Sequence, residues 1–235
     1  MKTLLLQIPT INDSLNTQGN EEVTEKTLSV IELITSGGIG GSLVMGALGL
    51  LSLFAIYILI ERFSVIKKAS IEDENFLKSI RNFVEAKDIE AAKAVCRNTD
   101  SPISRMIEKG VNRIDKPMND ISSAIENQGK LEVFKMENNL ANLATISGAA
   151  PMIGFLGTVI GMIVAFHEMA SAGGNIDVEM LSKGIYMAMT TTVAGLIVGI
   201  IAFIAYNYLV SKVDKVVFML EAKITEFLDL LHHNE

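Results

Sequence analysis

The sequence predicts an all-α protein with three membrane-spanning helices, and two observations support that prediction. The chain has 235 residues, a mean hydropathy of +0.38 and only 20% charged residues. Its Lys, Arg, Asp and Glu residues leave three charge-free windows, at residues 39–60, 141–166 and 184–209. Because about 20 apolar residues are enough for a helix to cross the hydrocarbon core of a bilayer, each window is long enough for one span.

Composition also excludes several classes of function. The single cysteine, Cys96, cannot form an internal disulfide, and no His or Cys residues have the spacing of a zinc site, so we expect no metal. Three scattered His residues and no GxxxxGK[ST] loop give neither a catalytic set nor a nucleotide site, so we expect no enzyme and no cofactor. The net charge of −7, without a basic stripe, argues against a nucleic-acid partner.

The distribution of positive charge predicts the orientation in the membrane. Of the 20 Lys and Arg residues, 17 lie in residues 61–140 and 210–235, and only three lie in residues 1–38 and 167–183. Cytoplasmic segments carry the excess of Lys and Arg close to span ends. We therefore expect the N-terminal tail, with a short interfacial helix at residues 28–34, and the second loop to lie outside.

The long segment between the first two spans is predicted to be helical. Its apolar residues recur at helical spacing between residues 76 and 114. A new helix is expected at Ser101 and Pro102. No proline follows Pro117 until Pro151, so one long helix is predicted to run from the cytoplasm into the second span.

The tail at residues 210–235 carries one apolar stripe, which requires a neighbour. That neighbour is either the helices of residues 61–140 or another subunit, and both can hold.

The second and third spans differ from the greasy first span because small residues recur in them every three or four positions. Such rows allow helix backbones to approach closely in a membrane. We predict close helix packing at five glycines, and either a structural kink or a moving hinge at Pro151. The five glycines are Gly154, Gly157, Gly161, Gly195 and Gly199.

Threonines lie on or beside these rows, at Thr145, Thr158, Thr191 and Thr192. Thr158 is 17 residues past Ala141, and Thr192 is 17 residues before Leu209. At a rise of about 1.5 Å per residue, both lie about 26 Å from the inner boundary. The shared depth favours a polar ion path, although threonine can also simply bond to the carbonyl one turn back.

The three charge-free windows also contain no His. Proton relays through membranes need an ionisable group, so a partner has to supply the carboxylate if protons cross here. Hydroxyl and carbonyl oxygens are also ligands for hard cations, so the sequence leaves both proton and sodium open.

Two segments resemble signatures of a known family. Residues 143–162 read LATISGAAPMIGFLGTVIGM, and residues 184–207 read GIYMAMTTTVAGLIVGIIAFIAYN. Together with the three-span plan, they resemble the second and third spans of the ExbB/TolQ/MotA family of ion-driven motor proteins. With three spans and a short chain, the sequence is more similar to the ExbB/TolQ branch than to MotA.

The resemblance implies a ring-forming homo-pentamer in the bacterial inner membrane, with a periplasmic N-terminus and a cytoplasmic C-terminus. The ring surrounds a dimer of a single-span ExbD/TolR-like partner, whose membrane Asp carries the proton. Thr158 and Thr192 match the family's pore-lining threonines. Many relatives have Glu five residues before the second of these, where this chain has Met187, which assigns the titrating role to the partner.

The expected function is a proton-channel motor subunit that drives a TonB-like periplasm-spanning protein. The resemblance fits equally a TolQ-like subunit that acts on a TolA-like protein or a gliding-type motor, because these systems share the membrane engine. A non-conducting membrane scaffold, held together by the small-residue rows, is the alternative from another class.

Overall fold

The computed structural model of the chain describes residues 38–71, 74–171 and 178–233. The predicted interfacial helix at residues 28–34, with most of the predicted outer tail, lies outside them. The described residues form helices without any strand, in the order α1 (Gly38–Ala69), α2 (Glu74–Glu85), α3 (Ile89–Asn98), α4 (Pro102–Val111), α5 (Met118–Glu137), α6 (Leu140–Ser171) and α7 (Val178–His233).

Three stretches of helix are long and apolar enough to cross a membrane: α1, the α5–α6 stretch and α7. This confirms the prediction of an all-α chain with three membrane helices. Each membrane helix extends beyond its charge-free window, since α1 continues to Ala69, α6 to Ser171 and α7 from Val178 to His233. The most extensive contact in the fold joins α6 to α7, and α1 packs on both.

The prediction of one unbroken helix from Pro117 into the second span is wrong. Helix α5 ends at Glu137 with an extended residue, Asn138 (φ −50°, ψ 138°), and Asn139 adopts a left-handed conformation with φ 64°. Asparagine tolerates this conformation better than most residues because its short polar side chain can bond locally. The Asn138–Asn139 pair therefore breaks the helix without a proline, just before the second charge-free window.

The predicted helix start at Ser101 and Pro102 is confirmed. Ser101 Oγ accepts a hydrogen bond from the Ser104 backbone N–H at 3.2 Å, and Ser104 Oγ accepts one from the Ser101 backbone N–H at 3.3 Å. This reciprocal capping box satisfies two amides that the first turn leaves without helical partners. The helix that starts at this cap buries Ile107 and Val111 in the core.

The apolar stripe of the tail packs within the same chain. Helix α7 continues past its charge-free window without interruption, and this extramembrane half contacts α2, α4 and α5. A Cβ added to Gly110 of α4 would lie 3.0 Å from Phe227 Cε1 of α7, so these two helices meet closely. Packing on the helices of residues 61–140 is thus observed, and packing between subunits stays a prediction. The buried stripe of α7 is Leu209, Val213, Val216, Leu220, Phe227 and Leu231.

A buried carboxylate fastens α4 to α5. Glu132 is only 2% exposed, and its oxygens accept hydrogen bonds from Arg105 Nε (3.1 Å) and Nη2 (2.7 Å), Lys135 Nζ (2.9 Å) and Gln128 Nε2 (2.8 Å). These bonds replace the water that the carboxylate loses on burial. The hydrogen bond to Glu132 in turn raises the pKa of Arg105 above its ordinary value, against the opposing effect of burial.

Candidate ion-pathway site

The backbones of α6 and α7 touch at Gly154 and Gly195. A Cβ added to Gly195 would lie 2.6 Å from the Ala150 carbonyl oxygen and 2.9 Å from Gly154 Cα. A Cβ added to Gly154 would lie 2.8 Å from the Thr191 carbonyl oxygen. Backbone atoms on both sides leave no flexible side chain to move aside, so neither position accepts a larger residue without separating the helices.

The other three predicted packing glycines lie along the same contact. An added Cβ would be 2.5 Å from Thr191 Oγ1 at Gly157, 3.0 Å from Ala188 Cβ at Gly161 and 2.6 Å from Pro151 Cγ at Gly199. Sequence analysis did not single out Gly184, where an added Cβ would be 2.5 Å from Ala165 Cβ. Its spacing of four residues before Ala188 continues the small-residue row and could have indicated it.

Three threonines meet where the two helices are closest, and we call Thr158, Thr191 and Thr192 the threonine cluster. The hydroxyls of Thr158 and Thr192 are hydrogen-bonded to each other across the two helices. All three hydroxyls lie within reach of the Gly154 carbonyl oxygen, at 3.4 Å, 3.3 Å and 3.2 Å in sequence order.

The Ala188 carbonyl oxygen is a second acceptor for the cluster, at 3.1 Å from Thr158 Oγ1 and 2.8 Å from Thr191 Oγ1. The equal depth inferred for Thr158 and Thr192 from residue counts thus matches a direct contact between them.

The cluster has more acceptors within reach than protons to donate. Each hydroxyl carries one proton and two lone pairs, whereas Thr158 Oγ1 alone has two carbonyl oxygens and a neighbouring hydroxyl around it. Several arrangements of the same protons are therefore possible without moving a helix. Thr191 is 4% exposed, whereas Thr158 and Thr192 are half-buried, so these two can also bond to a group that approaches from outside the helix pair.

Thr145 is not part of the cluster. It is exposed and donates to the Ala141 carbonyl oxygen of its own helix at 2.9 Å. It precedes Thr158 by 13 residues, which is about 20 Å along α6. Its hydrogen bond is the one-turn-back bond that a purely structural threonine makes, and its role in an ion path stays a prediction.

Pro151 lies inside α6, which continues on both sides of it. Proline has no N–H, so the Ser147 carbonyl loses its usual helical donor. That carbonyl oxygen lies 3.1 Å from the position of a Cβ added to Gly199, so the gap in the hydrogen-bond ladder faces the closely packed neighbour. A moving hinge at Pro151 stays a prediction.

The charged residues that directly follow the first window connect α1 to α5. Arg62 is 5% exposed, pairs with the Glu61 carboxylate, and donates from Nη1 to the Lys135 carbonyl oxygen at 2.8 Å. Asn139 Nδ2 donates to Glu61 Oε2 at 3.5 Å. These contacts hold the Asn138–Asn139 break against the first membrane helix, and the sequence did not predict them.

Burial makes the Cys96 thiol unreactive. Burial in the core of the extramembrane helices raises the pKa of its thiol to about 12, so the thiolate needed for redox or nucleophilic chemistry does not form near neutral pH.

Comparison with known proteins reveals relatives on two branches. The chain is 27% identical over 79% of its length to a putative biopolymer transport protein ExbB homolog of Methanothermobacter thermautotrophicus, covering 64% of that protein. It is 40% identical over 34% of its length to the biopolymer transport protein ExbB of Helicobacter pylori, covering 54% of it. It is 35% identical over 43% of its length to the Tol-Pal system protein TolQ of Haemophilus influenzae, covering 44% of it.

The matched segments span about half to two thirds of the length of these relatives. The sequence model of the MotA/TolQ/ExbB proton channel family matches residues 98–222, which is more than half of the chain and includes α4 to α6, the threonine cluster and most of α7. With three membrane helices, closely packed glycines and hydroxyls in charge-free spans, the chain belongs to the MotA/TolQ/ExbB proton channel family.

Proposed function

We propose that this chain is the ring-forming subunit of an ion-driven motor in the bacterial inner membrane, with its N-terminus periplasmic and its C-terminus cytoplasmic. The threonine cluster is the observation on which the proposal depends. It places hydroxyl protons that can change acceptor between two charge-free windows that contain no Asp, Glu, Lys, Arg or His. A proton that passes such a cluster has to be carried by a carboxylate from elsewhere.

In this proposal, five copies of the chain surround a dimer of a single-span ExbD/TolR-like partner that supplies a membrane Asp. The half-buried hydroxyls of Thr158 and Thr192 solvate that carboxyl group as it gains and loses its proton. A proton that moves down about 100 mV releases roughly 2.3 kcal/mol. That energy moves the partner relative to the ring, and the resulting force acts on a TonB-like periplasm-spanning protein to energise outer-membrane receptors.

A TolQ-like role with a TolA-like protein is the second candidate, and the match to the TolQ of Haemophilus influenzae favours it. It uses the same membrane chemistry and differs only in the protein that receives the force. Co-purification distinguishes the two, because the TonB-like and TolA-like proteins would each be recovered with the complex that they serve.

The test of the motor is substitution of Thr158 by Val and by Ser in the assembled complex. Val keeps the shape but removes the hydroxyl, so we expect normal assembly and loss of proton-motive-force-dependent transport. Ser restores the hydroxyl and should restore transport. Thr190→Val is the matched control, since Thr190 donates only to the Tyr186 carbonyl oxygen of its own helix, at 2.9 Å, and lies outside the cluster.

A scaffold makes a different prediction. The hydroxyls of the cluster bond within one chain, so a scaffold that uses them only to hold α6 against α7 should work whenever the complex assembles. Full transport in an assembled Thr158→Val complex, or in a complex whose partner lacks its membrane carboxylate, would overturn the motor.

A further inference from the structure

A cleft between α1 and α7 lies where both helices leave the charge-free windows. It has a volume of about 240 Å³ and is lined by Phe63 and Lys67 of α1, by Ser70 just after α1, and by Tyr208 and Lys212 of α7. The first window ends at residue 60 and the third at residue 209, so the two lysines lie within one or two turns of the hydrocarbon boundary. This is the depth of lipid headgroups.

Aromatic rings form the wall of the cleft that faces the membrane. The rings of Phe63 and Tyr208 are stacked, with centroids 6.5 Å apart and an angle of 21° between them. Lys212 Nζ lies 5.5 Å from the centroid of the Tyr208 ring. The aromatic ring holds the ammonium group at the mouth of the cleft by a cation–π contact.

The lysines of the cleft have no carboxylate partner among the ion pairs of residues 38–71, 74–171 and 178–233. Lys67 and Lys212 are both exposed, and Ser70 beside them adds a hydroxyl. Two cations without a carboxylate partner among the residues that the structure describes, and a hydroxyl, lie at headgroup depth beside stacked aromatic rings. They suit a phosphate group whose chains continue into the bilayer.

We infer that this cleft binds the phosphodiester headgroup of an anionic phospholipid, with Lys67 and Lys212 as its cationic contacts. The acyl chains lie along the exposed apolar surfaces of α1 and α7 next to the cleft, including Ile60 and Tyr208. The inference requires only that α1 and α7 cross a bilayer, so it does not depend on ion conduction or on the pathway that the motor serves.

The test is native mass spectrometry of the full chain released from nanodiscs that contain phosphatidylglycerol and phosphatidylcholine. The wild-type chain should retain phosphatidylglycerol in preference to phosphatidylcholine. The double variant Lys67→Gln/Lys212→Gln should retain about thirtyfold less phosphatidylglycerol, because each lysine near a charged lipid surface contributes on the order of 1 kcal/mol. Both lysines are exposed, so the double variant should fold and elute like the wild type.

The matched control is Lys68→Gln/Lys215→Gln, which removes two exposed lysines of the same helices that lie outside the cleft. It lowers the surface charge equally, so equal loss of lipid in both double variants would overturn the inference. Equal retention of the two lipids by the wild-type chain would also overturn it. Added inorganic phosphate should not displace the lipid, and full displacement would show a simple anion site instead.

Discussion

Helix α7 packs in two different ways along its length. In the membrane half, Gly195 brings its backbone against Gly154 of α6, and large side chains on the same level, such as Ile197 and Ile200, face outward. In the extramembrane half, Leu220 and Phe227 are buried against α2, α4 and α5. In lipid, apolar side chains gain nothing by leaving their surroundings, so backbone contact and hydrogen bonds hold the helices together. In water, burial of the side chains drives the packing.

The largest expected effect comes from a side chain at the backbone contact. Gly154→Val places a Cβ less than 3 Å from the Thr191 carbonyl oxygen, so the two helices have to separate. Overpacking typically costs up to about 3 kcal/mol, and we expect at least that loss of stability here. The Tm of the purified chain in detergent should fall by about 10 °C.

The control for this prediction is Gly148→Val on the same helix, where an added Cβ meets nothing within 4 Å. Both variants change helix propensity equally. An equal fall in Tm in both would show that helix propensity, not contact with α7, governs the membrane half.

A buried ion pair between α4 and α5 supports the extramembrane half, and Glu132→Ala tests it. Removal of the carboxylate leaves Arg105 without its bidentate partner. Breaking a buried pair costs about 3 to 5 kcal/mol. Because the Arg105 side chain is 35% exposed and can be rehydrated, we expect about 2 kcal/mol, measured by chemical denaturation. Glu126→Ala, which removes an exposed pair with Lys130, should cost well under about 1 kcal/mol.

Thr191→Val tests the contribution of a buried hydroxyl to the membrane half. Val keeps the volume but removes the hydrogen bonds to the carbonyl oxygens of Ala188 and Gly154. We expect a loss of about 1 kcal/mol and a fall in Tm of about 3 °C. Thr190→Val, which removes a bond within one helix, should leave Tm unchanged, and a similar fall there would contradict a special role for the interhelical bond.

The smallest expected signal is the reaction of Cys96 with a maleimide, which reports on the extramembrane half alone. The pKa of about 12 and the burial of the thiol predict no labelling of the folded chain at pH 8. Gly154→Val should leave Cys96 unlabelled if the two halves of α7 pack independently, whereas Glu132→Ala should expose it. Rapid labelling in both variants would show that the halves unfold together.

The windows without charge predicted the three membrane helices because a buried charge in lipid is costly enough to shape the sequence. The small-residue rows likewise predicted the contact between α6 and α7, and equal residue counts predicted that Thr158 and Thr192 share a depth. These features depend on spacing along one straight helix, which a sequence records directly.

The sequence did not predict features that depend on contacts between residues far apart in the chain. Glu132 continues the buried register of Ile121 and Ile125 on α5, so periodicity indicated its burial but not its partner Arg105 on α4. The break at Asn138 and Asn139 carries no proline, and a left-handed asparagine is only a preference. Arg62 contacts the Lys135 carbonyl next to this break, and the two residues are 73 positions apart in the sequence. Spacing along one helix does not predict such a contact.

Helix α7 is long and uninterrupted, so a small tilt at one point displaces its far end. It has 56 residues without a proline, and no glycine follows Gly199. From Gly195 to Phe227 is about 48 Å at a rise of about 1.5 Å per residue. A tilt of about 5° at the glycine contact would therefore displace the far end of this rod by about 4 Å. A change too small to open a gap between α6 and α7 would thus move the far end of α7 by about the size of a side chain.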